Sequence, residues 1–221
     1  MKAVSIDIET TGLDVNNAEI LEVGMVAFDT EQPFKKLHKY NTLRIVIVKN
    51  NWQGEIYALN LNKNILTEIL QAKELFKEDP SKPIAVTKAG DYETVYVNVE
   101  AGSQRGLTAN PQVKESLDLD YFIDRFFKQN EFEGRITVAG KNFAGFDGPF
   151  LRRNYMFGDK FMSRFRHKIL DPGSMYVLPE DDQVPGLPLC LERAGLPSEV
   201  PHTAVEDAVL VIKCIQAKLL K

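Results

Sequence analysis

The sequence of 221 residues contains few cysteines and no long hydrophobic run. Cys190 and Cys214 are the only cysteines, and they have neither Cys-x-x-Cys spacing nor the Cys/His neighbours that a zinc site or a disulfide framework requires. No apolar run approaches the roughly 20 residues of a membrane-spanning helix. The chain also enters a strand-like pattern at residue 3 without the three regions of a secretory signal. We therefore expect a cytoplasmic protein with reduced thiols.

Positive charge is scarce as well. The formal net charge of −4 argues against a protein that coats nucleic acid by bulk electrostatics, because that mode relies on many Lys and Arg contacts to phosphate. Residues 141–168 are the exception, with seven basic residues against two acids, a local charge of +5 that leaves −9 for the remainder. Two interpretations stay open: a solvated helix face, or a patch that guides phosphates beside an acidic site.

The hydrophobic pattern predicts one domain over residues 1–221, since this length and 44% hydrophobic content suffice for a single core. The predicted order begins with three strands and a helix. An inserted β-hairpin and a loop follow, at about residues 81–111, and strands then alternate with helices, which is typical of an α/β fold with a mixed sheet flanked by helices. Strands are predicted at 4–9, 19–28, 43–48, 135–140 and near 169, and helices at 62–76, 115–129, from 147 and from 203.

The first strand carries two acids. Side chains alternate between the two faces of a strand, so Asp7 and Glu9 share one face while Ile6 and Ile8 occupy the other. Two like charges at the edge of a core are costly unless they are neutralised, and carboxylate oxygens are the ligands that Mg²⁺ and Mn²⁺ prefer. A divalent metal site is the functional interpretation. The alternative is an exposed strand end with two solvated acids.

A second acid lies where a strand leads through a loop into a helix, in the segment Gly140-Lys141-Asn142-Phe143-Ala144-Gly145-Phe146-Asp147. Proline is tolerated only in the first turn of a helix, so Pro149 places Asp147 at or just before the helix start. Asp147 is therefore a candidate for the same metal site. Helix N-capping is the competing explanation.

A third acid occurs at the start of the last helix. Thr203 and Glu206 have the spacing of a capping box, which explains Glu206 structurally. Asp207 instead falls on the apolar stripe that should face the sheet, and a buried acid needs a partner or a metal. His202 precedes the cap and is expected near the same helix mouth, although a lone loop histidine usually has no special role.

In this order and spacing, Asp7-x-Glu9, Asn142-x4-Asp147 and His202-x4-Asp207 resemble the DEDDh family of 3′→5′ exonucleases. That family includes polymerase proofreading subunits, ribonuclease T and oligoribonuclease. The resemblance runs from about Ala3 to Leu219 and includes Ile6-Asp7-Ile8-Glu9-Thr10-Thr11-Gly12-Leu13 and Glu19-Ile20-Leu21-Glu22-Val23-Gly24. Thr203 stands where the tyrosine branch of the family would have its Tyr, so the resemblance is to the histidine branch.

The resemblance implies a ribonuclease-H-like fold and a magnesium- or manganese-dependent nuclease that releases nucleoside 5′-monophosphates from the 3′ end of single-stranded DNA or RNA. Asp7, Glu9 and Asp207 would hold one of two cations, and Asp7 would also contact the second. Asp147 would assist through water, and His202 would act as general base.

By the same resemblance, the terminal nucleotide should be bound by backbone groups of Thr10, Thr11 and Gly12, with Leu13 against its base and Asn142 close by. Lys141 departs from the family, which commonly has a His there. The choice between DNA and RNA, the biological role and a homodimer stay open.

Two rival functions remain: a nucleic-acid-binding module of the same fold that has lost catalysis, and a metal-dependent endonuclease. His202 argues against the second, because ribonuclease-H-type endonucleases do not usually have this His-x4-Asp helix entry. Trp52 is either a base-stacking residue or a buried structural one.

Overall fold

A mixed six-stranded sheet forms the centre of the computed structural model, which describes residues 1–39, 41–89, 91–101 and 111–220. Three strands form an antiparallel meander, a later strand adds in parallel beside the first, and a hairpin extends the sheet beyond the third. The order across the sheet is β4-β5-β3-β2-β1-β6. The strands are β1 (Lys2–Thr10), β2 (Ile20–Asp29), β3 (Thr42–Val48), β4 (Ile84–Ala89), β5 (Tyr92–Asn98) and β6 (Thr137–Ala139).

Helices cover both faces of this sheet. Among the described residues, no helix is long and apolar enough to cross a bilayer. The helices are α1 (Ile56–Leu61), α2 (Lys63–Ala72) with a 3₁₀ turn at Lys73–Phe76, α3 (Pro111–Gln129), α4 (Asp147–Arg153), α5 (Gly158–Met162), α6 (Pro172–Tyr176), α7 (Leu187–Arg193) and α8 (Ala204–Leu219).

The alternation of β1 divides the interior into two faces. Val4, Ile6 and Ile8 pack with residues of α3, α4 and α5, whereas Ala3 packs with α7 and α8 on the opposite face. Successive side chains of a strand point to opposite faces, so Asp7 and Glu9 lie on the α8 side, as the sequence pattern predicts.

The predicted α/β class, with a mixed sheet and flanking helices, is confirmed. The predicted hairpin also forms, but it is part of the main sheet, because β5 pairs in parallel with β3. The predicted strand near 169 is wrong: Leu170 forms only an isolated bridge to Ala139. Helix α1 was not predicted. Residues 102–110 of the predicted insertion lie outside the described residues.

Helix α8 approaches the sheet closely at Gly24 of β2. A Cβ atom added there would lie 2.4 to 2.6 Å from backbone atoms of Ala204 and Val205, far inside van der Waals contact. Gly24 is the β2 partner of Asp7. The absence of a side chain at this position therefore lets the first turn of α8 pack beside the acidic face of β1.

Candidate metal centre

Three of the predicted acids meet at this contact between β1 and α8. Asp7, Glu9 and Asp207 each offer a carboxylate oxygen, and these three oxygens lie within 4.8 Å of one another. The strand places Asp7 and Glu9 on one face, and the first turn of α8 supplies Asp207. Asp7 is partly exposed, whereas Glu9 and Asp207 are buried. We refer to these three residues as the carboxylate triad.

Burial and mutual repulsion make the triad unfavourable in its ionised form. Burial raises the pKa of Glu9 to about 8, with further increases from the charges of Asp207 and Glu22. Burial likewise raises the pKa of Asp207 to about 7. The pKa of Asp7 is well above its ordinary value because of burial and of the neighbouring charge of Asp147. Without a counter-charge, the surroundings of the three groups favour their protonated forms.

The residues of the triad fit a divalent cation. Oδ1 of Asp207 is buried and has no hydrogen-bond partner among the described residues, and an unsatisfied buried oxygen of this kind costs free energy. The donor set consists of carboxylate oxygens, which suit Mg²⁺ and Mn²⁺ better than Zn²⁺. A cation at this position would neutralise the charge and provide the missing partner.

Asp147 lies beside the triad and connects α4 to β1. It is 3% exposed, and its Oδ1 accepts a hydrogen bond from the backbone N–H of Ile8 at 3.1 Å. Burial raises its pKa to about 7, although two backbone hydrogen bonds oppose the shift. The N-capping explanation is wrong, because Phe146 occupies the cap position and Asp147 lies in the first turn with its carboxylate directed to β1.

His202 lies at the entrance of α8 with its side chain exposed. Its backbone has φ of 58°, a left-handed conformation that is uncommon for residues other than glycine, and its N–H donates to the carboxylate of Asp207. The imidazole is not part of the triad. His202 is thus attached to the site through its backbone, and its ring is on the solvent side.

The predicted capping box at α8 is only half correct. Thr203 is the N-cap residue, but its side chain accepts no hydrogen bond from the helix backbone. Its hydroxyl instead donates to the Glu206 carboxylate at 2.7 Å. The spacing of the box is present, while the pairing is between the two side chains.

The loop from Thr10 to Leu13 follows directly from Glu9, but many of its polar groups are already paired. The Thr10 hydroxyl donates to the carbonyl of Gly12 at 2.7 Å, and the N–H of Thr11 donates to the Glu19 carbonyl at 2.9 Å. The N–H of Leu13 donates to Glu55 at 3.0 Å, and the Leu13 side chain is 75% exposed.

Asn142, the remaining predicted substrate contact, lies in the loop that leads to Asp147. It is exposed and has φ of 56°, a region that asparagine tolerates better than most residues. Its N–H donates to Asp171 at 2.9 Å. The Asn142 side chain thus lies at the surface. The backbone of its loop is held by the bond to Asp171 and by the bonds from the N–H groups of Gly145 and Phe146 to the Asn142 carbonyl.

Asn62, between α1 and α2, was missed in the sequence. It is 3% exposed, its Nδ2 donates to the carbonyl of Thr10 at 3.0 Å, and its side chain also hydrogen-bonds Glu9, which opposes the rise in the pKa of that acid. Both neighbours are acceptors, so the amide nitrogen must face them and Oδ1 remains without a partner. A polar residue at the start of an apolar helical stretch was the available signal.

A buried ion-pair network adjoins the triad and was also missed. Arg44 on β3 donates two hydrogen bonds to Glu22 of β2, at 3.0 and 2.9 Å, and two more to Glu68 of α2. Glu22 is fully buried and is the β2 partner of Glu9. The network stabilises the part of β2 that pairs with Glu9. An Arg and a Glu on neighbouring predicted strands were the signal in the sequence, and in the sheet they lie diagonally, two register positions apart.

Comparisons with known proteins give little further information. No family model matches the sequence, and no curated protein matches it. A solved structure that the fold resembles is a moderately thermophilic Exonuclease I from Methylocaldum szegediense, with 12% sequence identity and a TM-score of 0.49. The similarity covers 96% of this chain but only 38% of that chain, so this chain spans well under half the length of that protein. At this identity and TM-score the similarity does not assign an activity.

Proposed function

We propose that this protein is a 3′→5′ exonuclease that hydrolyses single-stranded DNA or RNA with two divalent cations, Mg²⁺ or Mn²⁺, and releases nucleoside 5′-monophosphates. The observation that carries the proposal is the convergence of Asp7, Glu9 and Asp207 within 4.8 Å, together with the partnerless buried oxygen of Asp207. Their order along the chain, with Asp147 and His202 in between and beside them, supports an exonuclease of the DEDDh type.

The triad residues would hold one cation, and the partly exposed Asp7 would also contact a second. Cations held there would supply a lower pKa for the attacking water and charge stabilisation for the leaving 3′ oxygen. Asp147 supports this arrangement from α4, because its bond to Ile8 fixes the strand segment between Asp7 and Glu9. Its own carboxylate charge would be satisfied through water.

His202 is proposed as the general base. Its backbone N–H holds Asp207, so the residue is anchored, while its exposed ring remains free to accept the proton of the attacking water.

An apolar shelf beside the triad is proposed to receive the terminal base. Leu13 is exposed, and Ile56 and Tyr57 on α1 are 88% and 77% exposed. The bond between the Leu13 N–H and Glu55 holds the loop against the start of α1. Exposed aromatic side chains stack on unpaired bases without reading their sequence, and aliphatic side chains can pack against the same bases. Asn142 and the backbone from Thr10 to Gly12 complete the proposed substrate contacts.

The test is digestion of a 5′-labelled single-stranded DNA oligonucleotide and the matching RNA in Mg²⁺, in Mn²⁺ and in EDTA. We expect metal-dependent shortening from the 3′ end in single-nucleotide steps. Internal fragments would support the endonuclease instead. Binding of the oligonucleotide without cleavage in any metal would support the binding module. The ratio of DNA to RNA cleavage then identifies the preferred substrate.

Two variants separate metal binding from proton transfer. Asp7→Asn should abolish cleavage, on the order of 10³-fold or more, because it removes a ligand to both cations. His202→Asn keeps a residue that tolerates positive φ and removes only the imidazole. We expect it to lose about 10²-fold in kcat, the usual size of a general-base contribution, and to retain Mn²⁺ binding.

A further inference from the structure

The basic stretch at 141–168 is divided by the fold into paired and unpaired cations. Lys160 pairs with Asp120 and Arg164 with Asp124, both acids from α3, while Arg152 pairs with Asp159. Among the described residues, no carboxylate pairs with Arg166 or with the nearby Arg135. The interpretation as a solvated face therefore applies to only part of the stretch.

The unpaired cations line a groove that begins at the loop preceding Asp147. The groove has a volume of about 570 Å³ and runs between α4 and the segment 162–169. Its lining includes Ala144, Gly148, Arg135, Arg166, His167 and the ion pair of Arg152 with Asp159. Gly148 directly follows Asp147 in the first turn of α4. One end of the groove is consequently adjacent to the catalytic end of the sheet, and the other end carries the two unpaired arginines.

The backbone holds these arginines in place. Segment 164–166 lies along the edge of the sheet, where the N–H of Ile136 donates to the carbonyl of Arg164 at 2.9 Å and the N–H of Arg166 donates to the carbonyl of Ile136 at 2.8 Å. Nε of Arg166 donates to the carbonyl of Arg135 at 2.8 Å. That bond orients the guanidinium and leaves its terminal nitrogens available. A guanidinium whose two terminal nitrogens are free can donate two parallel hydrogen bonds to phosphate oxygens.

We propose that this groove binds the backbone of the single strand upstream of the nucleotide being removed, with Arg135 and Arg166 as its phosphate contacts. The direction of the bound strand, with its 3′ end at the triad, rests on the proposed function. The lining of the groove also includes the apolar side chains of Met162 and Ile169, and a positively charged groove that follows the backbone is one component of binding to single strands without sequence preference. Because the rest of the chain is acidic, the groove also determines where a polyanion can approach.

Substrate length provides the test. A 5′-phosphorylated dinucleotide fills only the catalytic site and is too short to reach the groove, whereas a 20-mer extends along it. We expect Arg135→Gln and Arg166→Gln to lower kcat/KM for the 20-mer by about tenfold, mainly through KM, and to leave the dinucleotide within twofold. Lys160→Gln removes the same charge from the same stretch outside the groove, and it should change neither. The Arg135 side chain forms no hydrogen bond with the part of the chain that the structure describes, so Arg135→Gln should fold normally.

A binding measurement in EDTA separates this proposal from the proposed function, since it requires no catalysis. With a fluorescent 20-mer, each Arg variant should weaken binding and reduce the slope of log Kd against log salt by about 0.7. If both Arg variants behave as Lys160→Gln in the two assays, the groove proposal is overturned even when the wild type is active. If the wild type cleaves nothing yet the EDTA result holds, only the proposed function fails. Binding of polyglutamate in preference to the 20-mer would also overturn the groove proposal.

Discussion

The backbone N–H of Ile8 donates to the carboxylate of Asp147 across 3.1 Å, joining two segments that are 139 residues apart in the chain. Ile8 lies between the two triad residues of β1, so this bond fixes the strand where the proposed cations bind. Asp147→Ala would leave the buried N–H of Ile8 without an acceptor, whereas Asp147→Asn keeps an oxygen there. We expect the Ala variant to be about 1–3 kcal/mol less stable than the Asn variant, measured by urea unfolding in EDTA. Equal stabilities would show that the bond contributes nothing.

Stability of the metal-free protein should fall as pH rises. Glu9, Asp147 and Asp207 have pKa values of about 8, 7 and 7 in the folded state, against about 4 in the unfolded chain. Between pH 4 and 8 the folded state therefore binds more protons, so the free energy of unfolding decreases with pH across this window. Asp207→Asn removes one of these groups without changing its shape.

In EDTA at pH 8, Asp207→Asn should therefore be more stable than the wild type, by on the order of 2 kcal/mol. The gain should be nearly lost near pH 4, where the wild-type acid is protonated in the folded state and about half protonated in the unfolded chain. Asp182→Asn changes an exposed acid and should show little difference at either pH. If Asp207→Asn is no more stable than the wild type at pH 8, burial is not the dominant influence on the pKa of Asp207.

Divalent cations should stabilise the wild type. A cation that binds only the folded state contributes about 2.7 kcal/mol at 100 times its Kd, which corresponds to a rise in Tm of roughly 5–10 °C for a chain of this size. We expect Mn²⁺ at pH 8 to raise the Tm of the wild type by this amount. The rise should be smaller in Asp7→Asn and the same as in the wild type in His202→Asn. Scanning fluorimetry measures all three. A full rise in Asp7→Asn would exclude the triad as the binding site.

Asn62 should affect both stability and the cation site. Asn62→Ala removes the donor to the Thr10 carbonyl and to Glu9, so we expect a loss of about 1–3 kcal/mol and weaker Mn²⁺ binding, because Glu9 is held less firmly. Asn60→Ala is the matched control, two residues away and exposed, with an expected change below about 0.5 kcal/mol. Isothermal titration with Mn²⁺ separates the two effects. Unchanged Mn²⁺ affinity in Asn62→Ala would limit its role to folding.

The sequence by itself determined which faces the acids occupy. Strand alternation placed Asp7 and Glu9 on one side, and helical periodicity placed Asp207 on the buried stripe of α8, because both periods are properties of the local backbone. The fold class followed from the same patterns. Structural placement of Asp7, Glu9 and Asp207 agrees with these predictions, while their catalytic roles, and that of His202, stay proposals.

Only the tertiary structure decided which distant groups meet. No local pattern indicates that Asp147 turns from the cap position to Ile8, that Asn62 reaches Thr10, or that acids of α3 neutralise Lys160 and Arg164. Each of these contacts joins segments at least 40 residues apart, so each depends on how closely elements pack, as α8 does at Gly24. Local periodicity determines the direction of a side chain, whereas its partner is determined by packing between elements that are remote in the chain.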